Sequence, residues 1–249
     1  MIMKPRLMVK ANLENGLELS LEPETRHYLI HTLRRQKGTE LLLFNNQGPE
    51  CEWEATLVET HPEARVLVHR AIQVARESTL KITLISGLLK GDATEWVIQK
   101  ATELGVSQFI PLQSQRTVAR IAHERWPNKE RRWNRIVEEA AEQSERVKLM
   151  DIHPPVEWSQ LPALLPATPR YLFWEEHADA PARLRTLPPP GTGVTLLTGP
   201  EGGFSSEEVQ QAETSMGFKI LSLGPRILRA DTAAVAVVTA VQTLWGDLG

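Results

Sequence analysis

Two segments near the end of the chain hold residue types and spacings from which a ligand site is built. Val194–Val209 reads VTLLTGPEGGFSSEEV, and Ile220–Val238 reads ILSLGPRILRADTAAVAVV. In each, an apolar run stops at a Gly-Pro turn and a helix-forming stretch follows. Gly199, Gly202 and Gly203 lack the Cβ atoms that would hold a ligand away from the main chain, so backbone N–H and C=O groups can approach it closely. Ser205 and Glu208 have the spacing of a capping box, and Phe204 and Val209 that of a hydrophobic staple, so a helix is expected to start here.

Several chemistries do not fit this loop. It reads GPEGGF rather than GxGxxG, and it has no Gly-Lys-Ser/Thr ending, so neither the dinucleotide nor the P-loop pattern is met. Glu201 would repel a polyphosphate. A neutral or cationic nucleoside suits the loop better, with S-adenosylmethionine the leading candidate. A branched side chain at Gly202 is then expected to block the ligand. Taken alone, the loop reads equally well as an ordinary strand-to-helix turn. The second segment repeats the turn as Leu223-Gly224-Pro225-Arg226, and Asp231 is placed to cap an apolar helix running to about Trp245. Arg226 and Arg229 lie between the glycine turn and a helix N-terminus, where the dipole disfavours positive charge. They suit a nucleic-acid phosphate or a substrate carbonyl, or are two solvated arginines.

Other elements must hold these turns in place. Strands are expected at Arg6–Val9, Leu17–Leu21, Glu40–Asn45, Glu52–Val58 and Arg65–Val74, with one helix over Glu24–Arg34. Short strands in succession suggest a small barrel. From Lys81 onward strands and helices alternate, the pattern of a parallel sheet with crossover helices. Asp92 and Glu95 are spaced as a capping box for a helix to Leu104, whose Val97, Ala101 and Leu104 share an apolar face. Lys100 and Glu103 lie off that face, on a solvated surface. Trp96 and Trp133 read as packing residues.

Composition narrows the class. The 249 residues are 41% hydrophobic and 24% charged with net charge −3, which fits a globular protein whose nucleic-acid surface, if any, is a local patch. Cys51 is the only cysteine and the seven histidines show no ligand spacing, so neither a disulfide framework nor a metal site is expected. No run approaches a membrane span and no signal-peptide pattern is present, so the chain reads as cytoplasmic. Basic residues gather in the strand-rich segment, including Arg6, Arg34 and Arg35, and in the middle of the chain, including Arg116 and Arg120. The middle group is interspersed with acids and reads equally as a solvated face.

The pair GPEGGFS…E and LGPRILRADTA resembles the C-terminal signature of the bacterial 16S rRNA (uracil-N3)-methyltransferases, a branch of the SPOUT superfamily. LKGDATEWVIQKATELGV (Leu89–Val106), SQRTVAR (Ser114–Arg120), RWNRIVEEAAEQSERV (Arg132–Val147) and HYLIHTLRRQKGTELLLFNNQG (His27–Gly48) are similar to further motifs of that family, in the same order. There are departures. Glu145 stands where the family usually has Gly, Met150 where Pro is common, Asp231 where Glu is usual, and Asn45-Asn46 in place of an Asp-Gly turn.

The resemblance implies an α/β fold, with a PUA-like RNA-binding barrel in residues 1–73 and a SPOUT methyltransferase domain with a C-terminal trefoil knot in residues 74–249. It also implies a homodimer acting on 16S rRNA or the small ribosomal subunit, without metal or membrane. The reaction would be methyl transfer from S-adenosylmethionine to uridine N3. The cofactor would be held by Leu197, Thr198, Gly199, Pro200, Glu201, Gly202 and Gly203, by Ser222, Leu223, Gly224, Ile227 and Leu228, and by Thr232 and Ala233. Arg229 would stabilise the developing uracil anion. Glu201 would accept a proton or touch the cofactor, or is a loop carboxylate bound to nearby amides. Glu175 and Glu176 are weaker candidates. RNA would be gripped by Arg6, Arg34, Arg35, Arg116, Arg120, Gln143 and Arg146. The alternatives are 2′-O-ribose methylation of rRNA or tRNA, or a non-catalytic RNA-binding assembly protein.

Overall fold

In Arg65–Gln73, Val66 and Val68 are fully buried while Arg65 and His69 are exposed, the period of two expected of a strand with one face on a core. This strand belongs to the first of two units in a computed structural model that describes residues 4–174 and 183–249. Glu175 and Glu176 lie outside the described residues. The units are Met1–Glu77 with Ala141–Leu149, and Ser78–Ala140 with Met150–Gly249. The cut after Glu77 falls in the expected range, near residues 73 to 79, whereas the return of residues 141–149 to the first unit had no sign in the sequence.

The first unit holds β1 (Arg6–Met8), β2 (Glu18–Ser20), α1 (Pro23–His27), β3 (Glu40–Phe44), β4 (Cys51–Glu59) and β5 (Arg65–Gln73). The strands form one mixed sheet in the order β1-β3-β4-β5-β2, with β1 parallel to β3 and the other pairs antiparallel. Leu7 from β1 and Leu19 from β2 pack on the same core as Leu41, Leu57 and Val66, so both ends of the sheet face one interior. The expected helix is shorter than its sequence suggests. After His27 it widens into a π turn over Tyr28–Thr32 and ends there, with Leu33 as its C-cap and Arg34 beyond it at φ 52°.

The returning segment explains two corrections. Arg6 is not free for RNA: its side chain is 6% exposed, pairs with Glu52 and donates to the carbonyls of Ala141, Glu142 and Arg146. Arg146 is likewise buried, and its guanidinium meets the Glu77 carboxylate at 2.8 Å, with exposures of 5% and 4%. A second oxygen of Glu77 accepts the N–H groups of Val147 and Lys148. A charged group desolvated this far is held by its partners and is not presented to a ligand.

The second unit contains β6 (Lys81–Gly87), α2 (Ala93–Glu103), β7 (Gln108–Gln113), most of α3 (Trp126–Gln143), β8 (Asp151–Ile152), β9 (Val156–Glu157), β10 (Arg170–Phe173), β11 (Gly193–Thr198), α4 (Ser206–Thr214), β12 (Lys219–Leu221) and α5 (Ala230–Trp245). Its sheet is parallel throughout, in the order β12-β10-β11-β6-β7-β8, with β9 also on β7. Every residue of β11 is buried, as expected for a parallel strand covered on both faces.

Three local expectations need correction. The Asp92 side chain does not cap α2; instead Thr94 Oγ1 accepts the Leu89 N–H at 2.9 Å, and Glu95 bonds Lys129 and Arg132. Burial opposes the charge on Glu95, but those two cations outweigh it and hold its carboxyl below the usual range. Arg229 rather than Asp231 occupies the N-cap of α5, with Asp231 in the first turn. Trp133 is buried as expected, whereas Trp96 is 42% exposed. Lys100 and Glu103 pair with each other at 2.7 Å.

Candidate active site

In a parallel sheet the carboxyl ends of all strands lie on one edge, and the loops leaving them form the crevice where ligands bind. Phe173 is level with Thr198 on one side and with Leu221 on the other. The two Gly-Pro turns therefore leave the same edge with β10 between them, roughly 10 Å apart at about 4.8 Å per strand. Thr198 is also level with Ser86, which places the end of β6 beside the first turn.

The first turn is tightly held. A Cβ on Gly87 would lie 2.3 Å from Pro200 N, so β6 must end in glycine for the turn to pack on it. Gly203 N–H donates to Pro200 O at 2.9 Å. Glu201 is exposed, and its Oε1 accepts the Lys90 N–H at 2.8 Å. That contact is the loop-anchoring role weighed above for this carboxylate. The capping box of α4 forms as expected, with Ser205 N–H donating to Glu208 (2.9 Å) and Glu208 N–H to Ser205 Oγ (3.2 Å). Phe204 and Val209 are buried in one cluster with Leu197, which reaches any ligand through its backbone alone.

Gly202 also faces a neighbouring loop. A Cβ there would meet the Cβ and carbonyl oxygen of Arg116, each at 3.0 Å. A branched side chain at Gly202 would therefore push on the Arg116 loop first. The glycine serves packing between two loops.

The second turn is more open. Ser222 Oγ accepts the Gly224 N–H at 3.1 Å, and Gly224 has φ +111°, a conformation that L side chains rarely adopt. Arg226 and Arg229 are exposed, and no ion pair neutralises either among the described residues. Ile227 between them is 84% exposed. Leu223, Leu228 and Ala233 are half-buried, and Thr232 is exposed.

The remaining predicted contacts are dispersed. Arg116 is exposed and donates to Gly202 O at 3.3 Å, so it stands beside the first turn. Arg120 is exposed and pairs with Glu157 at 3.3 Å. Both belong to the second unit, whereas Arg34, exposed, Arg35, half-buried, and Gln143, exposed, belong to the first. Gly87, the Lys90 amide and the second oxygen of Glu208 escaped the sequence reading. The glycine closing the ISG strand was the only signal for the first; the other two are long-range contacts with no local signature.

The arrangement fits an adenosine-type ligand such as S-adenosylmethionine. Thr198 Oγ1, buried at the mouth of the first turn, has no hydrogen-bond partner among the described residues. A buried hydroxyl left so is costly unless a ligand or water completes it. Glycines, an exposed isoleucine and backbone groups supply the rest of such a site. Among the described residues no group of three or more His, Cys, Asp or Glu gathers in a metal-binding cluster, and no helix is long and apolar enough to cross a membrane.

Comparison with known proteins agrees with this geometry. The family described as RNA methyltransferase domain matches residues 76–242. The ribosomal RNA small subunit methyltransferase E of Bacillus subtilis (strain 168) is 30% identical, over 96% of this chain and 97% of its own. Among solved structures, a methyltransferase of Legionella pneumophila in complex with the cofactor SAM is 32% identical, with a TM-score of 0.91 over 99% of this chain and 100% of its own. The ribosomal RNA small subunit methyltransferase E of Neisseria gonorrhoeae, bound to S-adenosyl methionine, is 30% identical, with a TM-score of 0.89 over the same shares. With a matching fold, matching length and the two turns at the carboxyl edge of the sheet, the chain belongs to the RNA methyltransferase family and, within it, to the small-subunit ribosomal RNA methyltransferases E.

Proposed function

We propose that this protein is an S-adenosylmethionine-dependent rRNA methyltransferase that methylates N3 of a uridine in 16S rRNA. The observation that carries the reading is the pair of glycine turns at one sheet edge, with the unpartnered Thr198 hydroxyl at the mouth of the first and the unneutralised Arg229 beside the second. Residues 198–203 and 222–228, with Thr232 and Ala233, hold the cofactor mainly through backbone groups. Bound S-adenosylmethionine supplies an electrophilic methyl group on a sulfonium centre.

Uracil N3 carries a proton at neutral pH and lies on the Watson–Crick edge, so the base must be unpaired or flipped out and must lose that proton. Arg229 donates hydrogen bonds to a uracil carbonyl as charge develops on the ring. Glu201 fixes the first turn through Lys90 and leaves one oxygen for a ligand contact or a proton. Arg116, Arg120, Arg34, Arg35 and Gln143 contact RNA. Arg6 and Arg146, being buried, take no part. We further propose that the first unit is a PUA-like RNA-binding barrel, that the two Gly-Pro units and the final helix form a trefoil knot, and that the enzyme works as a cytoplasmic homodimer.

The test is methylation of small subunits and of 16S rRNA from cells lacking this enzyme, followed by mass spectrometry of the nucleosides. 3-Methyluridine is the expected product. A 2′-O-methyl nucleoside would overturn the N3 assignment, and cofactor binding without any methylated product would point to an RNA-binding protein.

A further inference from the structure

The Glu208 carboxylate does more than cap a helix. It is 5% exposed, and Oε2 accepts the Ser205 N–H at 2.9 Å to close the capping box of α4. A capping box uses the side chain only in that one way. Here the other oxygen, Oε1, accepts the N–H of Gln115, 93 residues earlier in the chain, at 2.8 Å. Gln115 follows the end of β7 and directly precedes Arg116. The Arg116 loop is tied to the first turn a second time. Its guanidinium donates to Gly202 O at 3.3 Å, and its backbone fills the space where a Gly202 side chain would stand. Within the loop, Ser114 N–H donates to Thr117 Oγ1 at 2.9 Å, so the loop is internally closed. Residues 114–117 and 199–205 are thus fastened into one body by a buried carboxylate.

We propose that Glu208 is a positioning residue that couples the two loops, so that filling the cofactor turn tightens the grip of the Arg116 loop on RNA. This rests on the function proposed above. A ligand that orders one loop also orders the loop clamped to it, and the second ligand then meets less conformational freedom to remove. Such coupling is reciprocal: RNA must tighten cofactor binding by the same factor. Glu208→Gln keeps the size of the side chain but leaves one acceptor oxygen for two N–H donors. The local cap to Ser205 keeps the oxygen and the amide –NH2 then faces the Gln115 N–H, so the cap stays and the bridge is lost.

The experiment uses the full chain, a 16S rRNA transcript and S-adenosylhomocysteine as an unreactive cofactor analogue. Dissociation constants are measured for each ligand with and without saturating amounts of the other. In the wild-type protein each ligand should tighten the other by the same factor, roughly fivefold or more. In Glu208→Gln the factor should fall to near one while both ligands still bind singly. Independent binding in the wild type, or undiminished coupling in a folded Glu208→Gln protein, would overturn the proposal. If Glu208→Gln does not fold, Glu208→Asp decides, because its carboxylate is too short to reach Gln115 from the N-terminus of α4, and wild-type coupling in that variant overturns the proposal. A wild-type protein that binds neither ligand sinks the proposed function itself, and this inference with it.

Discussion

Arg229 is the residue on which the proposed chemistry turns. It is exposed at the N-cap of α5, where the helix dipole opposes it, and no acid pairs with it among the described residues. A cation placed against its own local field suits an anion that forms during reaction. Removing one such donor typically lowers turnover by about 100-fold or more. Arg229→Ala should therefore slow single-turnover methylation by that order at saturating RNA, with S-adenosylmethionine affinity nearly intact. Arg229→Lys should recover only part of the rate, because a point charge does not reproduce a planar fork. A near wild-type rate for Arg229→Ala would reduce it to a phosphate contact.

Glu145 shows a different kind of residue-scale constraint. Its φ is 62°, in the left-handed region, at the position where the family it resembles usually has glycine. Its one compensation is an exposed ion pair with Arg76 at 3.1 Å, a contact of little worth in water. Glu145→Gly should leave methylation unchanged and stabilise the fold by up to about 1 kcal/mol, read as a higher urea midpoint at unchanged slope. A lower midpoint would show that the ion pair outweighs the backbone strain.

The decisive element is the end of β6 against the first turn. Gly87 meets backbone atoms of Gly199 and Pro200, which have no flexible side chain to move aside. Gly87→Ala should displace the turn, lower stability by about 1–3 kcal/mol, and weaken S-adenosylhomocysteine binding in calorimetry by more than that loss of folded protein explains. Equal affinity in the folded fraction would remove this turn from the cofactor site. The start of α4 was legible because the Ser205–Glu208 box is local. The start of α2 was not, because Glu95 has a choice between its own N-terminus and two cations on α3, Lys129 and Arg132, and the cations win.

For the whole molecule, the consequence lies in residues 141–149. Phe44, Ala141 and Val147 form a buried cluster in the first unit, and Arg146 is buried against Glu77. A fragment 78–249 would strip Ala141 and Val147 of their apolar partner and leave Arg146 without its carboxylate. The apolar contact and the ion pair that hold this segment would both give way to water. The fragment should be markedly less stable than the full chain in thermal melts, whereas a fragment with full-length stability would mean that this segment repacks by itself.

The sequence by itself determined what is local or periodic. Short strand candidates located β1 to β5, alternation of strands and helices from Lys81 marked the parallel sheet, and the apolar runs ending at the Gly-Pro turns after Thr198 and Leu223 marked the segments on which the site stands. Tertiary structure alone decided which charges are free. Arg6, Arg34 and Arg146 look alike in a sequence, since a guanidinium carries no local sign of its partner. Arg6 and Arg146 are desolvated by residues 46 to 140 positions away, and Arg34 is left in solvent. The same holds for Gly202, whose missing side chain makes room for Arg116 from another loop, and for Glu208, whose second oxygen crosses to Gln115. Such contacts depend on the path of the chain through space, and that path is set by the packing of all the elements together.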